Sequence, residues 1–132
     1  MPRGEPLQKL YEGFVPGRFP IDAYGRGGFR FAEMSHRGSV LALPSGIRAW
    51  DVTAPGELTA ESLGLVLAEA AEIDFLLIGT GVAPVLLSDA IAWPLRDARI
   101  GFDVMATGAA ARTFNIMLGE RRRVAAALIA VD

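Results

Sequence analysis

The turn Gly79-Thr80-Gly81 follows the apolar run Phe75 to Ile78 and precedes Pro84. A glycine-rich turn at the end of a strand exposes backbone amides, the donors that hold phosphates in nucleotide enzymes. The established phosphate motifs are not met here. A dinucleotide fingerprint requires a third glycine where this chain has Pro84, and a P-loop requires a lysine, which the second half of the chain lacks. Two readings stay open. Either the amides of Gly79 to Gly81 and the Thr80 side chain form an anion seat, or the glycines serve packing and turn geometry alone.

Asp103 stands inside the apolar run Ile100 to Met105, where a covered carboxylate needs a partner, and Arg112 is the expected one. Gly108, Arg112 and Asn115 fall at i, i+4 and i+7 on a predicted helix, a narrow polar stripe beside Ala110, Phe114 and Met117. The stripe either lines a crevice with Thr80, or serves structure, with Arg112 paired to Asp103 and Asn115 tying a loop to the helix. Gly79, Thr80, Gly81, Asp103, Arg112 and Asn115 are therefore the candidate ligand-binding residues. Catalysis has less to rest on. His36 is the sole histidine and is expected in an exposed hairpin turn, so no second imidazole completes a metal pair or relay. Ser45 and Ser88 lack a histidine partner in the predicted strand order. The absence of cysteine excludes thiolate nucleophiles, disulfides and cysteine metal sites. No catalytic residue, metal site or cofactor is expected, and the chain reads as a non-enzyme.

The elements that must position these residues divide at about residue 53. Residues 1–26, rich in Gly, Pro and charge with isolated aromatics, read as an extended arm laid on the body. Residues 27–132 read as a single α/β domain. Gly28 to Met34 alternates Phe29 and Phe31 with Arg30, Ser35 to Gly38 reads as a turn, and Ser39 to Pro44 as the returning strand. Ile47 to Val52 adds a third strand after the corner at Pro44-Ser45-Gly46. The second half alternates. Thr59 caps a helix whose residues Leu63, Val66, Leu67 and Ala70 share one face. Asp74 to Ile78 is a short apolar strand, and a helix follows between Asp89 and Arg99, where Pro94 is tolerable only in the first turn. Ile100 to Met105, Gly108 to Leu118 and Arg123 to Val131 complete a strand, helix and strand. The fold class is α/β: a three-layer domain with a mixed sheet, an antiparallel N-terminal meander followed by βαβαβ parallel crossovers.

The chain has 132 residues, 52% hydrophobic and 21% charged, enough for one domain with a core of its own. Its net charge of -2 comes from 13 basic and 15 acidic residues without a long block of either sign, so no nucleic-acid partner is expected. Lys9 is the one lysine among those basic residues, a bias that points to a GC-rich bacterial genome. The N-terminus lacks the apolar core of a signal peptide, and the uncharged run Phe75 to Ser88 is too short to span a bilayer. A cytoplasmic location follows as the expectation, with any membrane association peripheral and through a partner. Trp50 and Trp93 are either core residues or anchors of an interface. Arg121-Arg122-Arg123 reads either as a solvated turn, the commoner case, or as a contact for anionic lipid or an acidic partner.

The strings IDFLLIGTG and ARIGFDVMATGAAARTFNIMLGERRRVAAALIAV, preceded by GSVLALPSGIRAWDV and LTAESL, carry a family likeness over residues 27–131. The chain resembles the uncharacterised-domain family that includes a mitochondrial assembly factor for respiratory complex I and an adipogenesis-associated protein. The resemblance implies a three-layer α/β domain with no established catalytic activity and, for the mitochondrial member, a role in assembling complex I at the membrane. The positions that match are Gly79, Thr80, Gly81, Asp103, Thr113, Phe114 and Asn115, which mark shape more than chemistry. The expected function is therefore a non-enzymatic assembly factor or adaptor with a protein partner, a respiratory complex or membrane-assembly machinery. The alternative is a binder of a small anionic metabolite, or an enzyme acting on one, at the Gly79-Thr80-Gly81 crevice.

Overall fold

The computed structural model describes residues 13–132. Six strands form one mixed sheet: β1 (Phe14–Pro16), β5 (Ser39–Leu43), β6 (Gly46–Trp50), β7 (Phe75–Gly79), β8 (Gly101–Met105) and β9 (Val124–Leu128). Their order across the sheet is β1-β6-β5-β9-β7-β8. Pairing is antiparallel from β1 to β9 and parallel from β9 through β7 to β8. A second sheet of three antiparallel strands holds β2 (Ala23–Gly25), β3 (Gly28–Phe31) and β4 (Met34–Arg37). The α/β class with a mixed sheet, an antiparallel first half and parallel crossovers is the one the sequence predicts.

Strands β5, β7 and β9 are covered on both faces, which is why they read as apolar runs. One face is covered by the short helix α1 (Gly64–Ala68) with the 3-10 turn before it and by α2 (Asp89–Asp97), which bury Leu63, Val66, Ile91 and Leu95 against Leu76, Ile78 and Ile129. The other is covered by α3 (Thr107–Gly119) and the small sheet, with Phe114, Phe29 and Phe31 packed on Val40, Leu77 and Leu128. The topology dictates this division. From β7 the chain steps one way to β8, and from β8 it steps back past β7 to β9, so crossovers of one hand lie on opposite faces.

Five local expectations are corrected. The first hairpin turns at Ala32-Glu33, both at positive φ (50° and 62°), and not at Ser35 to Gly38. His36 consequently lies within β4, where it is buried facing Phe29 and Phe31, rather than exposed in a turn. The meander is also divided between the two sheets, with Gly38 at φ 99° taking the chain from β4 into β5. Thr59 does cap: its hydroxyl accepts from the Ser62 amide at 3.1 Å while the Ser62 hydroxyl accepts from the Thr59 amide at 3.0 Å. The helix it opens is nevertheless broken into a 3-10 turn, α1 and a second 3-10 turn. Pro94 is the sixth residue of α2, outside the first turn. The carbonyl it leaves without a helical partner belongs to Ala90, which is exposed to solvent, and the burial of Ile91, Ala92 and Leu95 offsets the lost bond.

Of the expected arm, residues 1–12 lie outside the described residues. Residues 13–26 are extended along the body, with β1 on the edge of the large sheet and β2 paired to β3 through a turn at Arg26-Gly27.

Candidate protein-docking surface

Helices α2 and α3 leave the neighbouring ends of β7 and β8 toward opposite faces, and between such strand ends an open α/β sheet forms its ligand crevice. Gly79-Thr80-Gly81 lies there, as predicted. Its polar groups, however, are spent on the protein. The Thr80 amide donates to the Met105 carbonyl at 2.9 Å and its hydroxyl donates to the Ala83 carbonyl at 2.7 Å, with Thr80 only 2% exposed. The Gly81 amide donates to Thr107 Oγ1 at 2.9 Å, and that hydroxyl donates onward to the Ile129 carbonyl at 2.7 Å. Thr107 returns its own amide to the Gly81 carbonyl at 2.8 Å, and the Ile129 amide reaches the Gly79 carbonyl at 2.9 Å.

Gly79 itself is a packing glycine. A Cβ there would stand 2.9 Å from the Thr107 Cα and 3.0 Å from a methyl of Leu128, so its absence lets the first turn of α3 rest on β7. Gly81 has φ 100°, a backbone that turns the chain upward out of the sheet. The buried Thr107, which sequence spacing did not single out, is the hub that closes the crevice.

The remaining candidates are not gathered around this turn. Asp103 is exposed on β8, and its Oδ1 accepts from the Val104 amide next to it at 2.9 Å. Arg112 donates instead to the Tyr24 hydroxyl at 3.4 Å, so the expected Asp103–Arg112 ion pair does not form. Among the described residues the ion pairs are Arg122–Glu120 and Arg123–Asp74. Asn115 grips the backbone of Ile21 with both ends of its amide, accepting at 2.8 Å and donating at 2.8 Å, which ties the N-terminal segment to α3. The polar stripe of α3 thus faces residues 21–24, not the crevice.

What the turn does expose is the loop after it. Anchored by Thr80 at Ala83, the segment 82–87 leaves Val82 92% and Leu86 100% exposed, and Trp93 on α2 is 57% exposed. A groove of about 470 Å³ runs beneath this loop, lined by Val85, Leu86, Leu87, Ala92, Arg96 and Phe102 among others. The Arg96 guanidinium makes a cation-π contact with both the Trp93 and Phe102 rings, 5.7 and 5.8 Å from their centres. Beside the groove runs β8, the outer strand of the large sheet, which among the described residues pairs only with β7. An unpaired strand edge next to exposed apolar side chains is a surface suited to another polypeptide. Asp103, lying on that edge, supplies an acceptor to one amide and adds a charge, both of which deter indiscriminate pairing.

Trp50, by contrast, is core. It is 7% exposed and its indole donates to the Ser62 carbonyl at 2.7 Å, which ties β6 to the turn before α1.

Among the described residues no helix is long and apolar enough to cross a membrane, and no group of metal-binding side chains is present.

Residues 21–129 match the family described as a protein of unknown function (DUF498/DUF598), and the chain belongs to it. A relative from Rhodobacter capsulatus, an uncharacterised protein, is 34% identical and aligned over 86% of each chain. The zebrafish NADH dehydrogenase [ubiquinone] 1 alpha subcomplex assembly factor 3 is 32% identical across 83% of this chain, which spans 63% of that protein's length. The crystal structure described as an outer membrane protein from Bartonella henselae superposes with a TM-score of 0.86 at 55% identity, over 89% of this chain and 98% of that one. The likeness seen in the strings around Gly79 and Asn115 is therefore a family relationship, and the fold is common to it.

Proposed function

We propose that the protein is a non-catalytic assembly factor or adaptor that holds a polypeptide of a larger complex on the surface made by loop 82–87, Trp93 and the edge of β8. The observation that carries this reading is the groove that Val85, Leu86 and Leu87 form with Phe102, Asp103 and Val104 of β8, a strand open on one side among the described residues, with Leu86 fully exposed and Trp93 held at its rim by Arg96. Scattered apolar residues are ordinary, but a patch beside a free edge offers both burial and backbone hydrogen bonds to an extended segment. The name of the zebrafish relative supports a subunit of the respiratory NADH dehydrogenase as the partner. A catalytic role has less support, because the turn that could have presented amides to a substrate uses them internally.

The test is capture of partners from the native organism by gentle crosslinking and quantitative mass spectrometry, with Leu86→Ser/Trp93→Ser beside the unaltered chain. Enrichment of respiratory-complex subunits that falls about tenfold in the variant is the expected result. Equal recovery by both chains removes the docking role from this surface. Recovery in membranes that survives protease treatment of the membrane proteins would reassign the patch to lipid.

A further inference from the structure

The outward face of the small sheet carries a second surface of different chemistry. Cross-strand register places Arg30 opposite Ser35 and Ala23, and Arg37 opposite Gly28. Gly25 pairs with Gly28, so the floor between the arginines has almost no side chains. Arg26 projects from the turn that joins β2 to β3, next to Arg37 in this register. The result is an open basin of about 580 Å³, lined by Arg26, Arg30, Arg37, Ser35, Tyr24 and the two glycines among others.

Three exposed guanidiniums converge here in a chain whose net charge is -2. Such a cluster repels itself, and nothing among the described residues neutralises it, since the ion pairs there involve Arg122 and Arg123. Arg30 spends one nitrogen on the Ser35 hydroxyl at 3.1 Å, which orients its fork and leaves its other donors to the basin. Glu33, the sole acid between residues 23 and 37, sits in the turn at the opposite end of β3 from Arg26 and Arg37. Asp22 lies at that same far end, its backbone bonded to Arg30. The glycine floor has its own cause in the strands. At Gly28 a Cβ would collide with the His36 carbonyl, so the close approach of β4 itself requires glycine there, while Gly25 holds φ 126° with open space beside it.

We infer that this basin is a binding site for a phosphate monoester, held by the forks of Arg26, Arg30 and Arg37 over the Gly25-Gly28 floor. A carboxylate is satisfied by one bidentate arginine. A phosphate monoester carries up to two charges and three acceptor oxygens, which is what three converging forks can engage together. The same group is presented by a soluble phosphate ester and by the headgroup of phosphatidic acid.

The test uses the full chain in two arms. One is an NMR titration with inorganic phosphate against chloride at matched ionic strength. The other is flotation on phosphatidylcholine vesicles carrying phosphatidic acid, against vesicles carrying phosphatidylserine instead. Phosphate is expected to shift the amides of Gly25, Gly28 and Arg37, or phosphatidic acid vesicles to float the protein in preference to phosphatidylserine. A response in the first arm alone assigns a soluble ester, and one in the second alone assigns a headgroup. Arg30→Gln/Arg37→Gln is expected to weaken the response by about tenfold or more, while Arg122→Gln, in the turn after α3, leaves it unchanged. Amide dispersion reports whether the double variant is folded. If it is not, Arg37→Lys, which keeps the charge and loses the fork, is expected to weaken binding on its own. No response in either arm overturns the proposal. Equal flotation on both vesicle types that Arg122→Gln reduces as much as the double variant also overturns it, because that is attraction by net charge without a site.

Discussion

At the scale of single residues, Gly79 and Gly108 separate two meanings of a glycine that touches something. A methyl on Gly79 meets the backbone of Thr107, which cannot move without lifting α3 from the sheet. Gly79→Ala is expected to cost about 1–3 kcal/mol in a denaturant titration. A methyl on Gly108 meets the Tyr24 hydroxyl, the far end of a half-exposed side chain that can swing away, and alanine favours the helix by about 1 kcal/mol. Gly108→Ala should therefore be neutral or stabilising in the same measurement. His36 adds a pH dependence. Burial in β4 lowers its pKa below the usual 6.5, opposed in part by its contact with the Ser39 carbonyl at 3.2 Å. The folded state thus binds the proton less readily than the unfolded one, and stability present above about pH 6.5 is lost as pH falls through the lower folded value. His36→Gln should flatten that part of a stability-versus-pH curve, and an unchanged slope would mean another group is responsible.

Elements obey the same balance of local preference against burial. Pro94 is tolerated in α2 because three buried side chains hold the helix in place, so Pro94→Ala, which restores the bond to the exposed Ala90 carbonyl, is expected to raise the thermal midpoint. A fall would show that the ring itself is packed. The parallel half of the fold was legible in the sequence, β7, β8 and α3 to within a residue or two and β9 at its start, though its apolar run continues three residues past the end of the strand at Leu128; these apolar runs and helical spacings are strong enough to survive tertiary context. The first hairpin was not. Its turn at Ala32-Glu33 adopts positive φ without a glycine or asparagine, so the glycine at position 38 and the serine at 35 drew the turn to themselves. The site was legible in one part only. Gly79 to Gly81 announced a strand-end corner, but that its amides are consumed depends on Thr107, twenty-six positions away and joined only by the fold. The spacing of Arg26, Arg30 and Arg37 suggests no common face until β2, β3 and β4 are laid side by side. The loop 82–87 did leave a trace, as part of the uncharged run Phe75 to Ser88 that was too short for a membrane.

For the whole molecule, the question is why loop 82–87 holds the two most exposed large apolar side chains among the described residues, Val82 and Leu86, beside a strand edge, when most large apolar side chains are buried. Leu86, fully exposed, contributes no burial to folding, and Val82 contributes little. Their retention is a cost in solubility without a return in stability, which is the expected signature of a surface that meets something else. Trp93 is half in this category, since Arg96 stacks on it and β8 lies behind, yet more than half of its surface remains open. Leu86→Ser/Trp93→Ser is therefore expected to leave the unfolding free energy within about 0.5 kcal/mol of the unaltered chain, as surface substitutions do. The same variant should self-associate less at high concentration, as read by light scattering, because the patch that could join copies has become polar. If the free energy instead drops by about 2 kcal/mol or more, the loop is holding α2 against the sheet and its exposure is incidental. Unchanged stability with diminished association leaves recognition of another polypeptide as the reason the chain keeps these side chains in water.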